Sequence, residues 1–198
     1  MNILHLVSSP RGEASASIQL GNAIVQQLQA RYPGGTLVTR DLATAPFPHL
    51  EEQHLASFFT PPEARNEAQA AAASPSEQAI AELQQADAIV IGVPMYNFNL
   101  PSTLKAWIDH VVRAGLTFSY SEAGPSGLLQ HKKVYLALAS GGIYSEGPMK
   151  TVDFSEPYLR HMLSFIGLSD ITTYRAEGLA LPDRKDTALE KAIQAIAV

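Results

Sequence analysis

The sequence predicts an α/β fold: an open, doubly wound parallel sheet of five strands in the order 2-1-3-4-5, with helices on both faces. Three observations lead there. Short apolar stretches alternate with segments of helical periodicity along the 198 residues, the pattern of parallel strands joined by crossover helices. Two of the stretches, 88–93 and 134–139, are apolar throughout, as strands covered on both faces require. The count of strands is about five, too few for a barrel of about eight and suited to an open sheet that binds ligands at the carboxyl ends of its strands.

The elements follow in order. Ile3 to Val7 reads as the first strand, ending in Ser8-Ser9-Pro10-Arg11-Gly12. Ile18, Leu20, Ile24, Val25 and Leu28 then recur at helical spacing to about residue 31. Leu37 to Thr39 reads as the second strand. The passage holding Pro46, Pro48, Pro61 and Pro62 cannot be one continuous helix, and is expected to cover surface. Ser74-Pro75-Ser76-Glu77 offers a cap and first turn for a helix to about Gln85, with the alanine run 68–73 before it. The central strand, 87–93, precedes a helix that starts at Pro101-Ser102 and carries Leu104, Trp107, Ile108 and Val111 on one stripe toward Gly115. The strand 134–139, a helix near 156–165, a strand near 171–174 and a last helix from about Lys185 complete the pattern. No fixed-period repeat or strong linker divides the chain, so one domain over residues 1–198 is expected.

Composition excludes several functions. The chain is 46% hydrophobic and 17% charged, against about 25% charged on average, which argues for a large core, a buried subunit interface, or both. A net charge of -5 gives no bulk attraction to nucleic acid or to anionic lipid. With no cysteine, disulfides, thiolate metal sites and cysteine nucleophiles fall away together, and redox chemistry requires a bound cofactor. The opening residues carry no basic leader and no membrane-length apolar run, so a cytoplasmic location is expected.

Three loops leaving the first, third and fourth strands carry the chemistry. Ser9-Pro10-Arg11-Gly12-Glu13-Ala14-Ser15-Ala16-Ser17 is rich in hydroxyls and precedes a helix whose free N–H groups favour an anion. It lacks the Gly-Lys-[Ser/Thr] of a triphosphate loop and the Gly-x-Gly-x-x-Gly of a dinucleotide fold, so a monophosphate fits better. Ser15 or Ser17 as an ordinary helix cap stays an open alternative. Pro94-Met95-Tyr96-Asn97-Phe98-Asn99-Leu100-Pro101 places two aromatics, a thioether and two amides between a strand and a helix, where they suit a flat heterocycle; plain core packing of Tyr96 and Phe98 is the alternative. Ser140-Gly141-Gly142 allows close backbone approach at the end of a strand. Asp109 and His110 lie within a helix without a recognisable third partner, and the six histidines form no metal-spaced cluster.

These motifs resemble the FMN-dependent NADH-azoreductases and NAD(P)H:quinone reductases of the flavodoxin-like superfamily, over nearly the whole chain. The specific stretch is Pro94-Met95-Tyr96-Asn97-Phe98-Asn99, followed by Leu104-Lys105 and by Arg113-Ala114-Gly115-Leu116-Thr117-Phe118, with Ser9 and Ser15-Ala16-Ser17 matching the phosphate loop. The resemblance implies that Ser9, Ser15, Ala16 and Ser17 hold the FMN phosphate. Met95, Tyr96, Asn97 and Phe98 would line the isoalloxazine, and Ser140, Gly141 and Gly142 would close its other polar edge. Phe118, Tyr120 and Tyr144 are expected in the acceptor pocket. Family members often carry Ser-Arg-Gly-Gly at the last loop and a His soon after, where this chain has Ala139-Ser140-Gly141-Gly142 and Tyr144.

The resemblance further implies hydride transfer from NADH or NADPH to flavin N5, and then two-electron reduction of a quinone or azo compound in ping-pong order. It implies a homodimer with the flavin sites at the interface. An electron carrier of the flavodoxin type and a non-catalytic flavin sensor are the alternatives.

Overall fold

A computed structural model describes residues 1–198. Five parallel strands form the main sheet: β1 (Ile3–Val7), β2 (Leu37–Asp41), β3 (Ala88–Pro94), β6 (Lys133–Ala139) and β7 (Asp170–Ala176), in the order β2-β1-β3-β6-β7. Counting the sheet strands alone, this is the expected order 2-1-3-4-5. The remaining strands, β4 (Phe118–Ser121) and β5 (Gly124–Gly127), form a separate antiparallel hairpin that the sequence reading did not contain.

The helices are α1 (Ala16–Arg31), α2 (Glu52–Phe59), α3 (Glu67–Gln85), α4 (Ser102–Val111), α5 (Glu156–Phe165) and α6 (Ala188–Gln194). Alternation along the strands divides the core in two. Ile3, Val90, Tyr135 and Ala137 face α1 and α6, whereas Leu4, Leu6, Ile89, Ile91 and Leu136 face α3, α4 and α5. Strands with both faces buried have no polar side to show, which is why β3 and β6 read as unbroken apolar runs.

Two expectations are corrected. The helix expected from Ser74 begins at Glu67 and runs through Pro75. Its cap is Asn66, whose side chain accepts from the Gln69 N–H at 2.9 Å while the Gln69 side chain accepts from the Asn66 N–H at 3.1 Å, a reciprocal pair that outcompetes the Ser74 start. The Pro-rich passage is broken, as expected, but it also contains α2, which a capping box of Glu51 and His54 starts among the prolines. No helix is long and apolar enough to cross a membrane.

The sheet order reverses at β1 and β3, since β2 lies on one side of β1 and the later strands on the other. The loops after β1, β3 and β6 therefore leave the same edge of three adjacent strands, where open α/β sheets bind ligands.

Candidate functional site

The first loop ends at the N-terminus of α1. Ser9, Ser15 and Ser17 are all buried, although each carries a hydroxyl that needs a partner. Ser15 occupies the cap position with extended backbone, yet its side chain makes no capping hydrogen bond. Its hydroxyl lies 3.0 Å from that of Ser17. This decides against an ordinary cap and leaves a pair of hydroxyls beside Ala16 and Ser17, the residues that present the first N–H groups of the helix. The Ser9 hydroxyl accepts from the Arg11 N–H at 3.3 Å. Gly92 of β3 brings this helix end close to the sheet, for a Cβ there would stand 3.2 Å from the Ser17 carbonyl oxygen. The Ser8 hydroxyl donates to the Gly92 carbonyl at 2.7 Å, tying the loop to β3.

The second loop is a tight turn. Tyr96 N–H donates to the Asn99 carbonyl at 2.9 Å and Asn99 N–H returns to the Tyr96 carbonyl at 3.0 Å. Its two central residues have positive φ, +49° at Asn97 and +66° at Phe98, as a type I′ turn demands. Asparagine tolerates that region; phenylalanine does so only under constraint. The N–H groups of Asn97 and Phe98 donate to no atom of the chain. Tyr96 and Phe98 are exposed and Met95 is half-buried, so the core-packing alternative fails for both aromatics.

The third loop is fixed from outside. The carbonyls of Ser140, Gly141 and Gly142 accept from the N–H groups of Leu179, Ala180 and Gly178 at 3.1, 3.0 and 3.0 Å. The Ser140 hydroxyl also donates to the Gly142 carbonyl at 2.9 Å. With the carbonyls so engaged, the N–H groups of Gly141 and Gly142 remain unpaired within the chain. The Tyr144 ring folds over Gly142, where an added Cβ would meet it at 3.1 Å. It also faces Phe98 edge-on, with ring centroids 6.2 Å apart. Met95 N–H donates to the Ala139 carbonyl at 2.8 Å and joins the last two loops at their roots.

Beside the second loop lies a cleft of about 580 Å³, lined among others by Ser8, Pro10, Tyr96, Asn97, Lys105 and Tyr158. The Lys105 ammonium is paired with Asp109 at 2.7 Å. That hydrogen bond raises its pKa, so it stays a cation. His110 is buried among Phe47, His54 and Phe58, with its Nε2 3.0 Å from the Pro48 carbonyl oxygen. Burial lowers its pKa and keeps it neutral. Neither Asp109 nor His110 belongs to a catalytic arrangement.

Phe118 and Tyr120 lie away from the three loops of their own chain. Phe118 is buried against Phe165, with ring centroids 4.6 Å apart, and Leu129 after the hairpin donates to the Ile166 carbonyl at 2.9 Å. The carboxyl end of α5 lies where β7 begins, so the hairpin packs at the amino edge of the sheet, opposite the three loops. Tyr120 is 72% exposed at that same far edge. Sequence reasoning also missed the acidic and basic groups behind the third loop, Asp153, Glu156, Arg175 and Glu177, since each sits in an unremarkable context of its own.

Buried hydroxyls at a helix start, unspent amides on two neighbouring loops and three aromatics around them suit a phosphorylated flat heterocycle such as FMN. Comparison with known families agrees, for the model of the flavodoxin-like fold matches residues 1–198. The chain belongs to the flavodoxin-like fold family. A protein of Herminiimonas arsenicoxydans named FMN-dependent NADH:quinone oxidoreductase is 50% identical over 179 residues, 90% of this chain and 88% of that one. Another of the same name from Mesorhizobium japonicum is 45% identical, over 97% of this chain and 92% of its own. Among solved structures, an azoreductase from Bacillus anthracis superposes with a TM-score of 0.90 at 29% identity, covering 98% of this chain and 95% of the other.

Proposed function

We propose that the chain is an FMN-dependent NADH:quinone oxidoreductase that also reduces azo compounds, built as one flavodoxin-like domain over residues 1–198. The observation that carries the reading is the set of three adjacent loops with buried, uncapped hydroxyls on one side and the unpaired amides of Asn97, Phe98, Gly141 and Gly142 on the other. The names of the relatives above support the cofactor, the donor and the acceptor class.

Ser9, Ser15 and Ser17, with the backbone of Ala16, hold the phosphate at the positive end of α1. Met95, Tyr96, Asn97 and Phe98 line one edge of the ring system, and Ser140, Gly141 and Gly142 its other polar edge. Bound FMN supplies hydride acceptance from NADH and two-electron delivery to a quinone or azo acceptor. The fixed amides stabilise negative charge that grows on the ring during that exchange, and they do so without reorganising. Phe98 and Tyr144 meet edge to face and border the place where a planar partner stacks, so donor and acceptor take turns there. No side chain acts as nucleophile.

The reading includes a homodimer. Tyr120 lies at the edge of the main sheet opposite the three loops, so it reaches an acceptor pocket only across a subunit interface. The low charged fraction, 17%, supports buried surface beyond the core. A cytoplasmic location completes the proposal.

The test is anaerobic mixing of the FMN-loaded protein with NADH, followed by a quinone. The expected outcome is bleaching of the flavin band and its return on addition of acceptor. Flavin that binds but is not reduced by NADH would instead favour an electron carrier or a sensor.

A further inference from the structure

We propose that Arg175 is a positioning residue that fixes the edge-to-face pair of Phe98 and Tyr144 and thereby selects which planar acceptors stack beside it; this rests on the flavin-site reading above. Arg175 lies on the edge strand β7, outside the ligand-holding loops. Its guanidinium meets three carboxylates: Asp153 at 2.6 Å, Glu177 at 3.1 Å, and Glu156.

Two of these arms lead to one ring of the pair each. Glu177 accepts from the N–H groups of Tyr144 and Ser145 at 2.8 and 3.0 Å and from the Ser145 hydroxyl. It thus fixes the backbone that carries the Tyr144 ring. Asp153 accepts from the N–H groups of Ser155 and Glu156 at 2.9 and 3.2 Å, anchoring the turn into α5. Within that turn, Phe154 N–H donates to the Phe98 carbonyl at 3.1 Å. This holds the positive-φ turn from behind. One planar fork therefore braces both members of the aromatic pair.

The side chains of Arg175, Asp153, Glu156 and Glu177 are mostly buried, between 4% and 17% exposed. Removing so much charge from water is a poor way to gain stability alone. What it does supply is geometry, since a guanidinium has fixed donor directions and an ammonium does not. Even Arg175→Lys keeps the charge but loses the brace.

The experiment compares the FMN-loaded wild type with Arg175→Lys and with the milder Glu177→Gln, which keeps an acceptor oxygen for the amides but loses the charge pairing. Hydrogen exchange reports on segments 144–145 and 153–155. Steady-state kinetics give the ratio of KM for a two-ring naphthoquinone to KM for a one-ring benzoquinone, and stopped flow gives the rate of flavin reduction by NADH. The expected result is faster exchange in both segments and a KM ratio changed by roughly tenfold, since small misplacements at a stacking site carry large penalties, with flavin reduction retained. In a Tyr144→Ala background the same substitution should move the ratio less, since only the arm to Phe98 remains. An unchanged ratio with a lowered Tm alone, or an equal change in the Tyr144→Ala background, would overturn the proposal. A wild type that holds no FMN would instead defeat the underlying site reading, and this is seen before any variant is made.

Discussion

Phe98 adopts φ +66°, where an L side chain crowds the following carbonyl at a cost of about 1–2 kcal/mol. A glycine there would relieve the crowding, so the ring is kept for what it touches. Phe98→Gly should leave the unfolding free energy no lower than wild type, because relief of backbone strain offsets the lost edge contact with Tyr144. The same substitution should weaken FMN retention and raise KM for quinone; unchanged kinetics would show that the ring takes no part. His5 shows the opposite arrangement. It points from β1 at Gly21, where a Cβ would stand 2.7 Å from its Nε2, and that nitrogen has no partner. Burial lowers its pKa to about 4. The unfolded chain binds this proton near pH 6.5 and the folded chain only near 4, so stability is present above that window and falls as pH drops through it. The loss amounts to about 3 kcal/mol over the window. Urea unfolding at pH 7 and pH 4.5 should show a drop in the wild type that His5→Leu largely removes. In the sequence His5 was one polar letter inside an apolar run, with nothing to show that a glycine in α1 would face it.

Elements were legible where burial alone determines them. The strands β3 and β6 are legible because helices cover both faces, and α5 falls on the segment expected, 156–165. The start of α3 was misjudged because Pro75 was weighed as a first-turn residue, while the reciprocal cap of Asn66 and Gln69 lay hidden before an alanine run. Pro75 leaves the Ala71 carbonyl without its helical donor, and Ala71 is exposed to water that can satisfy it. Pro75→Ala should therefore raise stability by about 1–3 kcal/mol, read as an upward shift of Tm; a decrease would mean that Pro75 itself is needed for packing on α4. The hairpin β4–β5 was illegible for another reason. Its second strand is Gly-Pro-Ser-Gly, a segment of poor strand propensity, and close packing holds it in place. A Cβ on Gly127 would lie 2.1 Å from the Gly167 nitrogen, so this contact, 40 residues away in sequence, decides the local structure.

The three loops of the site were legible as motifs, because turn residues and hydroxyls at strand ends carry their meaning locally. The brace through Arg175 was not, since it joins residues from 153 to 177 that acquire a role only when β7 closes the sheet. The proposed dimer bears on the surface that one chain leaves uncovered. Phe59 is 82% exposed, Tyr120 72% and Phe154 53%, while Tyr96 and Phe98 stand at the mouth of the site. A single chain would show water this much aromatic surface at both edges of its sheet. If a second copy covers it and lends Tyr120 to the pocket, the cofactor and the assembly are linked: whatever separates the chains also opens the flavin site. Sedimentation velocity should then give a dimer at micromolar concentration. On serial dilution, the recovery of free FMN fluorescence should follow the same midpoint as dissociation of the dimer. Tyr120→Ala should raise KM for quinone without changing the rate of flavin reduction by NADH. A monomer that keeps FMN and turns over at full rate would break the link, and would confine the acceptor pocket to Phe98 and Tyr144 of one chain.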